Sequence, residues 1–246
     1  MSEDEFVAIV TEGSPAAPPY FSFDARRNRE KRPLLEENAL PEALTVEAVL
    51  AARDTGAKLL DTREPSDFAA GHLRGAINVG LQGRFPEYAG NVLRADQEVV
   101  LMGDPNTALE VRVRLARIGY DRVTDMLADP APTLEDLGRV EPSSRLTVAQ
   151  LRERMASIDG LVVLDVRAPG KIAEAGEVAG ARCIPLSRLT AELDSLDADA
   201  PTVVLCPSGY RSSIASSVLR AAGFADVSDL IGGYEAWAVT EKEPIT

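Results

Sequence analysis

Histidine is almost absent from this 246-residue chain: His72 is the only one, and cysteine occurs twice, at Cys183 and Cys206. A structural zinc site needs four Cys or His ligands at close spacing, and this chain does not supply them, so neither metal nor cofactor is expected. Two cysteines also make no disulfide framework, and a reducing, cytoplasmic compartment is the simplest expectation. No apolar run approaches the roughly 20 residues of a membrane helix. The acidic N-terminus, MSEDEFVAIVTEGSP, lacks the basic start and apolar stretch of a secretory signal. Basic residues number 26 against 39 acidic ones, a net charge of -13. Such a surface repels phosphate backbones, which argues against nucleic acid or an anionic membrane as partner.

What the chain does have is an internal repeat. LTVEAVL, starting at Leu44, returns as LTVAQLR from Leu146, and KLLDTR, ending at Arg63, returns as VVLDVR, ending at Arg167. GHLRGA from Gly71 matches GEVAGA from Gly176, and EVVLM from Glu98 matches TVVLC from Thr202. Asp61 and Asp165 are 104 residues apart, as are Gly119 and Gly223. The order and spacing imply two homologous domains, over 43–140 and 143–246, behind an N-terminal extension of residues 1–42. Short apolar runs such as Val99 to Leu101 and Val203 to Leu205 suit strands buried on both faces of a parallel sheet. Val111, Leu115 and Ile118, and again Ile214, Val218 and Ala221, are spaced for a helix ahead of a terminating glycine. The expected class is α/β, with each domain a mostly parallel sheet flanked by helices. Pro130, Pro132 and Pro142 mark 128–144 as a linker resistant to helix and central strand. The extension, with SPAAPPYFSF and DARRNREKR, reads as irregular and partly docked.

Chemistry concentrates in TVVLCPSGYRSSIASSVLRAAGF. A buried strand delivers Cys206 to its C-terminal end, the loop Pro207-Ser208-Gly209-Tyr210 follows, and Arg211 and Ser212 open a helix. Ligands of open α/β sheets gather at such strand ends. Amide N–H groups and the positive end of a helix stabilise an anion there, and a thiolate at Cys206 fits that environment. Arg211 adds a fixed positive charge, and Gly209 permits a turn closed to other residues. Ser208 and Ser212 can donate to the sulfur or cap the helix, and Tyr210 can frame the mouth or cover the loop. Cys183 has no such context and is expected in the core, as is Trp237. His72 is expected to play a structural, hydrogen-bonding part, since its counterpart is Glu177.

CPSGYRS at 206–212, DVR at 165–167, GEVAGA at 176–181 and IGGYEAW from Ile231 to Trp237 together resemble the rhodanese family, and DTREPSDFAAGHLRGAINV in the first copy resembles it more fully. The resemblance covers about residues 43–246. It implies a sulfurtransferase in which Cys206 takes a sulfane sulfur from thiosulfate or a small persulfide and passes it to a thiol or cyanide. Arg211 would hold the anionic substrate, with Arg167 against it and Ser208, Gly209, Tyr210 and Ser212 lining the cradle. Cysteine phosphatases and some arsenate reductases are the nearest rivals, but they place five residues between cysteine and arginine where this chain has four.

In the first copy Met102 stands where Cys206 stands, and Thr107 replaces Arg211. A thioether forms no thiolate and Asp104 disfavours an anion, so this domain is expected to be inert. The extension EFVAIVTEGSPAAPPYFSFDARRNRE is similar to the end of a metallo-β-lactamase-fold module. That likeness implies a third reading, a non-catalytic sulfur carrier or docking module for a persulfide dioxygenase of that fold.

Overall fold

The computed structural model describes residues 1–3, 5–6, 18, 20–31, 35–128, 130–135 and 138–242. The elements run α1 (Tyr20–Arg27), β1 (Glu42–Leu44), α2 (Val46–Asp54), β2 (Lys58–Asp61), α3 (Pro65–Ala70), β3 (His72–Leu73), β4 (Ile77–Asn78), α4 (Phe85–Val92), β5 (Val99–Met102), α5 (Ala108–Ala116), β6 (Val123–Leu127), α6 (Pro130–Glu135) and β7 (Val140–Glu141). The second half runs β8 (Ser144–Leu146), α7 (Val148–Ser157), β9 (Val162–Asp165), α8 (Pro169–Ala175), β10 (Arg182–Cys183), α9 (Leu186–Leu189), β11 (Thr202–Leu205), α10 (Tyr210–Ala221), β12 (Val227–Leu230) and α11 (Gly233–Lys242).

Each repeat builds the same five-stranded sheet. The strand orders are β1-β6-β5-β2-β4 and β10-β9-β11-β12-β8, with every pairing parallel. The repeated Leu-Thr-Val marks a strand end followed by a helix cap. Thr45 Oγ1 accepts from the Ala48 amide, and Thr147 forms a capping box with Gln150, which satisfies amides that the first helical turn leaves open. The middle strands β5 and β11 are buried along their whole length, as their unbroken apolar sequence requires.

The inner faces of the two sheets share one core. Leu60, Ile77 and Phe85 of the first domain join Leu164, Ile184, Val204 and Ile214 of the second in a single apolar cluster. Each outer face has its own cluster, around Leu59, Phe68 and Val100 in one domain and Val163, Leu205 and Trp237 in the other. The domains are therefore joined by apolar burial as well as by the chain.

Two expectations are corrected. The proline-rich linker is folded: Pro130 opens α6 and Pro132 follows in its first turn, where amides have no intrahelical acceptor and proline costs little. Strand β7 then pairs antiparallel with β3, joining His72 to Glu141. Part of the extension is also regular. Helix α1 lies on the first domain, with Tyr20 so close to Gly90 that any Cβ there would overlap its ring, and Arg27 Nη2 lies 2.7 Å from Asp121 Oδ2. Residues 7–17, which carry much of the extension's resemblance to a hydrolase module, lie outside the described residues. Among the described residues no helix is long and apolar enough to cross a membrane.

His72 has a structural environment. Its ring stacks on Phe68 at 3.7 Å, Nδ1 lies 3.0 Å from the Phe68 carbonyl oxygen, and Nε2 faces Glu141 at 3.6 Å. The carbonyl can only accept, so Nδ1 carries the proton. Burial holds the imidazole below its ordinary pKa of 6.5 despite the opposing pull of the Phe68 carbonyl and Glu141. The unfolded chain thus takes up this proton more readily than the folded one, and His72 leaves stability unaffected above 6.5 and lowers it as pH falls below that value. Chemical denaturation at a series of pH values should show this decline in the wild type and a shallower one in His72→Gln.

Candidate active site

Cys206 follows β11 directly and is 1% exposed. Its side chain belongs to the apolar cluster between the domains, yet it faces the turn that follows it: the Gly209 amide lies 3.2 Å from Sγ. The amides of Tyr210, Arg211 and Ser212 come next, in the first turn of α10, where N–H groups lack intrahelical acceptors. Gly209 has φ +102, and a Cβ on it would press to 3.3 Å on the Gly232 amide. Both conformation and space thus restrict this position to glycine.

The loop is clamped from the far side by the start of α11. The Tyr234 amide donates to the Cys206 carbonyl at 2.7 Å and the Glu235 amide to the Pro207 carbonyl at 2.9 Å. Gly233 has φ +57, and a Cβ there would overlap the Cys206 carbonyl oxygen. Gly233 and Tyr234 were not singled out as site residues from the sequence. The signal available was the glycine pair directly before an apolar-faced helix, which marks a close backbone approach.

Arg211 is partly exposed and its guanidinium makes no ion pair or hydrogen bond among the described residues. Ser208 is exposed at the loop tip. Ser212 is fully buried and its hydroxyl donates to the Gly209 carbonyl at 3.0 Å, so it closes the helical turn and does not reach the sulfur. Tyr210 reaches the first domain. Its hydroxyl donates to the Gly80 carbonyl of the first domain and its ring meets Tyr88 at 5.4 Å.

Arg167, placed against substrate by the family resemblance, is 1% exposed. Its Nε and Nη2 hold the Asp165 carboxylate at 2.6–3.0 Å, Nη2 also donates to the Gly176 carbonyl at 2.8 Å, and its guanidinium lies 4.0 Å from the Tyr234 ring centre. The first domain repeats this arrangement with Arg63, Asp61 and the Gly71 carbonyl. A geometry shared with the copy that lacks the cysteine is a brace of the fold, and in the second domain it supports the tyrosine of the clamp.

Cys183, expected in the core, is exposed. It sits on the edge strand β10, which has a neighbour on one side only, beside a cleft of about 470 Å³ lined by Pro169, Ile172, Glu177 and Arg188. Burial of its sulfur, with Asp165 nearby, pushes the thiol pKa up. Register pairs Cys183 with Asp165 and Asp165 with Leu205. Cys183 therefore shares the sheet face of Leu205, while Cys206, the next residue, points to the opposite one. In the first domain Met102 is buried and the space around it is closed, about 10 Å³. Asp104 turns inward on its own loop, accepting from the Asn106 amide at 2.9 Å.

The clamp can be tested through its glycine. Gly160 also has positive φ, +75, but nothing within 4 Å of a Cβ position. Gly160→Ala should cost about 1 kcal/mol for the backbone conformation alone. Gly233→Ala should cost about 1–3 kcal/mol more, from overlap with the Cys206 and Pro207 backbone. Denaturant unfolding of both variants measures the difference.

Comparison with known proteins adds to this geometry. The family model described as "Rhodanese-like domain" matches residues 45–127 and 147–240, more than half of the chain. A thiosulfate sulfurtransferase GlpE of Pseudomonas putida is 35% identical over 107 residues, 44% of this chain and 90% of that protein. Its counterpart in Pseudomonas fluorescens is 41% identical over 81 residues, 33% of this chain and 73% of that protein. Among solved structures, a rhodanese-related protein from Thermoplasma volcanium is similar at 30% identity over 42% of this chain and 97% of its own, with a TM-score of 0.37.

Proposed function

From a chain that belongs to the rhodanese-like domain family, we propose a sulfurtransferase that works through a persulfide on Cys206. The observation that carries this reading is the Gly209 amide 3.2 Å from Sγ, at the mouth of a helix whose first amides are free to receive an anion. The GlpE relatives, named thiosulfate sulfurtransferases, support thiosulfate as donor.

The chemistry balances with this chain's own groups. The Cys206 thiolate attacks the outer sulfur of thiosulfate. The S–S bond of the donor breaks, sulfite leaves with the electron pair, and Cys206 carries an added sulfur as a persulfide anion. Amides of the first turn of α10 stabilise that anion as they would a thiolate. Arg211, with no carboxylate partner among the described residues, attracts the dianionic donor and the departing sulfite. Cyanide or a small thiolate then attacks the outer sulfur, takes it away, and returns the Cys206 thiolate. Burial of Cys206 to 1% exposure favours small acceptors over a bulky partner surface, and so favours an enzyme over a docking module. The four-residue gap from Cys206 to Arg211 disfavours the cysteine phosphatase and arsenate reductase reading, since a tetrahedral oxyanion needs a wider ring of amides. Met102 and Thr107 leave the first domain without nucleophile or anion clamp, which fits an inert partner.

Intact-protein mass spectrometry after thiosulfate treatment should find a gain of one sulfur atom in the wild type and in Cys183→Ser, and none in Cys206→Ser. Thiocyanate formation from thiosulfate and cyanide should follow the same pattern. Undiminished transfer by Cys206→Ser would overturn the proposal.

A further inference from the structure

Among the described residues, the side-chain hydrogen bond between the 206–210 loop and the first domain is made by Tyr210. Tyr210 directly follows Gly209, the residue whose amide meets the Cys206 sulfur. Its hydroxyl donates to the Gly80 carbonyl, 130 residues earlier in the chain, and also lies 3.5 Å from the Gln82 carbonyl oxygen. Gly80 admits this contact because it has no side chain: a Cβ would sit 3.2 Å from the tyrosine ring.

The receiving segment is firmly held. Just after β4, the Val79 amide donates to the Asp61 carbonyl at 2.9 Å and the Leu81 amide to the Thr62 carbonyl at 3.2 Å. Asn78 Nδ2 reaches the Asp61 and Arg63 carbonyls at 3.2 and 2.9 Å. Arg114, on α5, donates to the Leu81 and Gly83 carbonyls at 2.7 and 3.0 Å. The framework that surrounds Met102 in the first domain thus fixes the carbonyl that receives Tyr210. The phenol is a donor across ordinary pH: burial pushes its pKa up, the nearby Tyr88 and Glu64 add to this, and Arg114 opposes it.

We infer that Tyr210 is a positioning residue through which the first domain sets the Gly209 amide against the reacting sulfur. The first domain then acts as the template on which the sulfur cradle is aligned. This rests on the sulfurtransferase reading for its effect on rate, but not for its effect on the loop. Two further hydrogen bonds across the interface are made by residues beyond the loop. Ser213 Oγ donates to Asn78 Oδ1 at 3.1 Å, and the Asn78 amide donates to Ser217 Oγ at 2.9 Å; both join the body of α10 to the first domain.

The test uses the full chain with Tyr210→Phe, which keeps the ring, Gly80→Ala, which disturbs the same contact from the other domain, and Ser213→Ala as the comparison. Melting temperature, kcat and KM for thiosulfate, and hydrogen–deuterium exchange of the 206–212 segment are measured for each. Loss of one hydrogen bond should lower kcat about three- to tenfold in Tyr210→Phe with KM little changed, and speed loop exchange by a similar factor. Gly80→Ala should move both readouts in the same direction, while Ser213→Ala should lower the melting temperature without moving either. Wild-type kcat and loop exchange in Tyr210→Phe would overturn the inference, as would equal changes in Ser213→Ala. If the wild type transfers no sulfur, the sulfurtransferase reading fails and loop exchange alone decides the positioning role.

Discussion

Burial of helix α10 on every side is the constraint from which the rest of the site follows. Residues Ser212 to Leu219 are all buried, because one face covers its own sheet and the other meets the first domain. Four of those eight residues are serines, and a buried hydroxyl without a partner is costly. Ser212, Ser216 and Ser217 donate to the carbonyls three residues earlier, while Ser213 donates to Asn78 of the first domain and Ser217 also accepts from its backbone amide. The body of α10 is thus packed against both domains, and the apolar core between them also holds Cys206.

The two copies share a frame and differ in the loop after the middle strand. Both keep the carboxylate–arginine brace, the parallel sheet and the glycine turns that shape a rhodanese-like domain. Only the second keeps the thiol and carries an arginine at the helix start, whose guanidinium has no hydrogen-bond or ion-pair partner among the described residues. The first copy has Met102 buried at the matching position and presents its strand exit at Gly80 to Tyr210 of the second. The Cys206 thiol is sealed from bulk solvent and meets the Gly209 amide.

The fold class and the two-domain plan were legible in the sequence because they depend on local pattern. Apolar runs give buried strands, threonine before a helical stretch gives a cap, and glycine ends the helix. The linker prolines misled: proline is excluded from helix interiors, yet a first turn tolerates it, and whether a helix starts there depends on what it packs against. Cys183 misled for a similar reason, since an apolar neighbourhood along the chain does not reveal that its strand lies at a sheet edge.

By itself, the sequence determined where the two thiols stand, that the loop from Cys206 to Arg211 is short, and that the first copy has no thiol, because residue type and spacing set chemical capacity. Tertiary structure alone decided what each polar group faces. It turned Arg167 inward onto Asp165, Ser212 onto its own helix and Tyr210 onto the first domain, and it laid Gly233 against the Cys206 carbonyl. These are contacts between segments distant along the chain, and their geometry arises only when the sheets close on a common core.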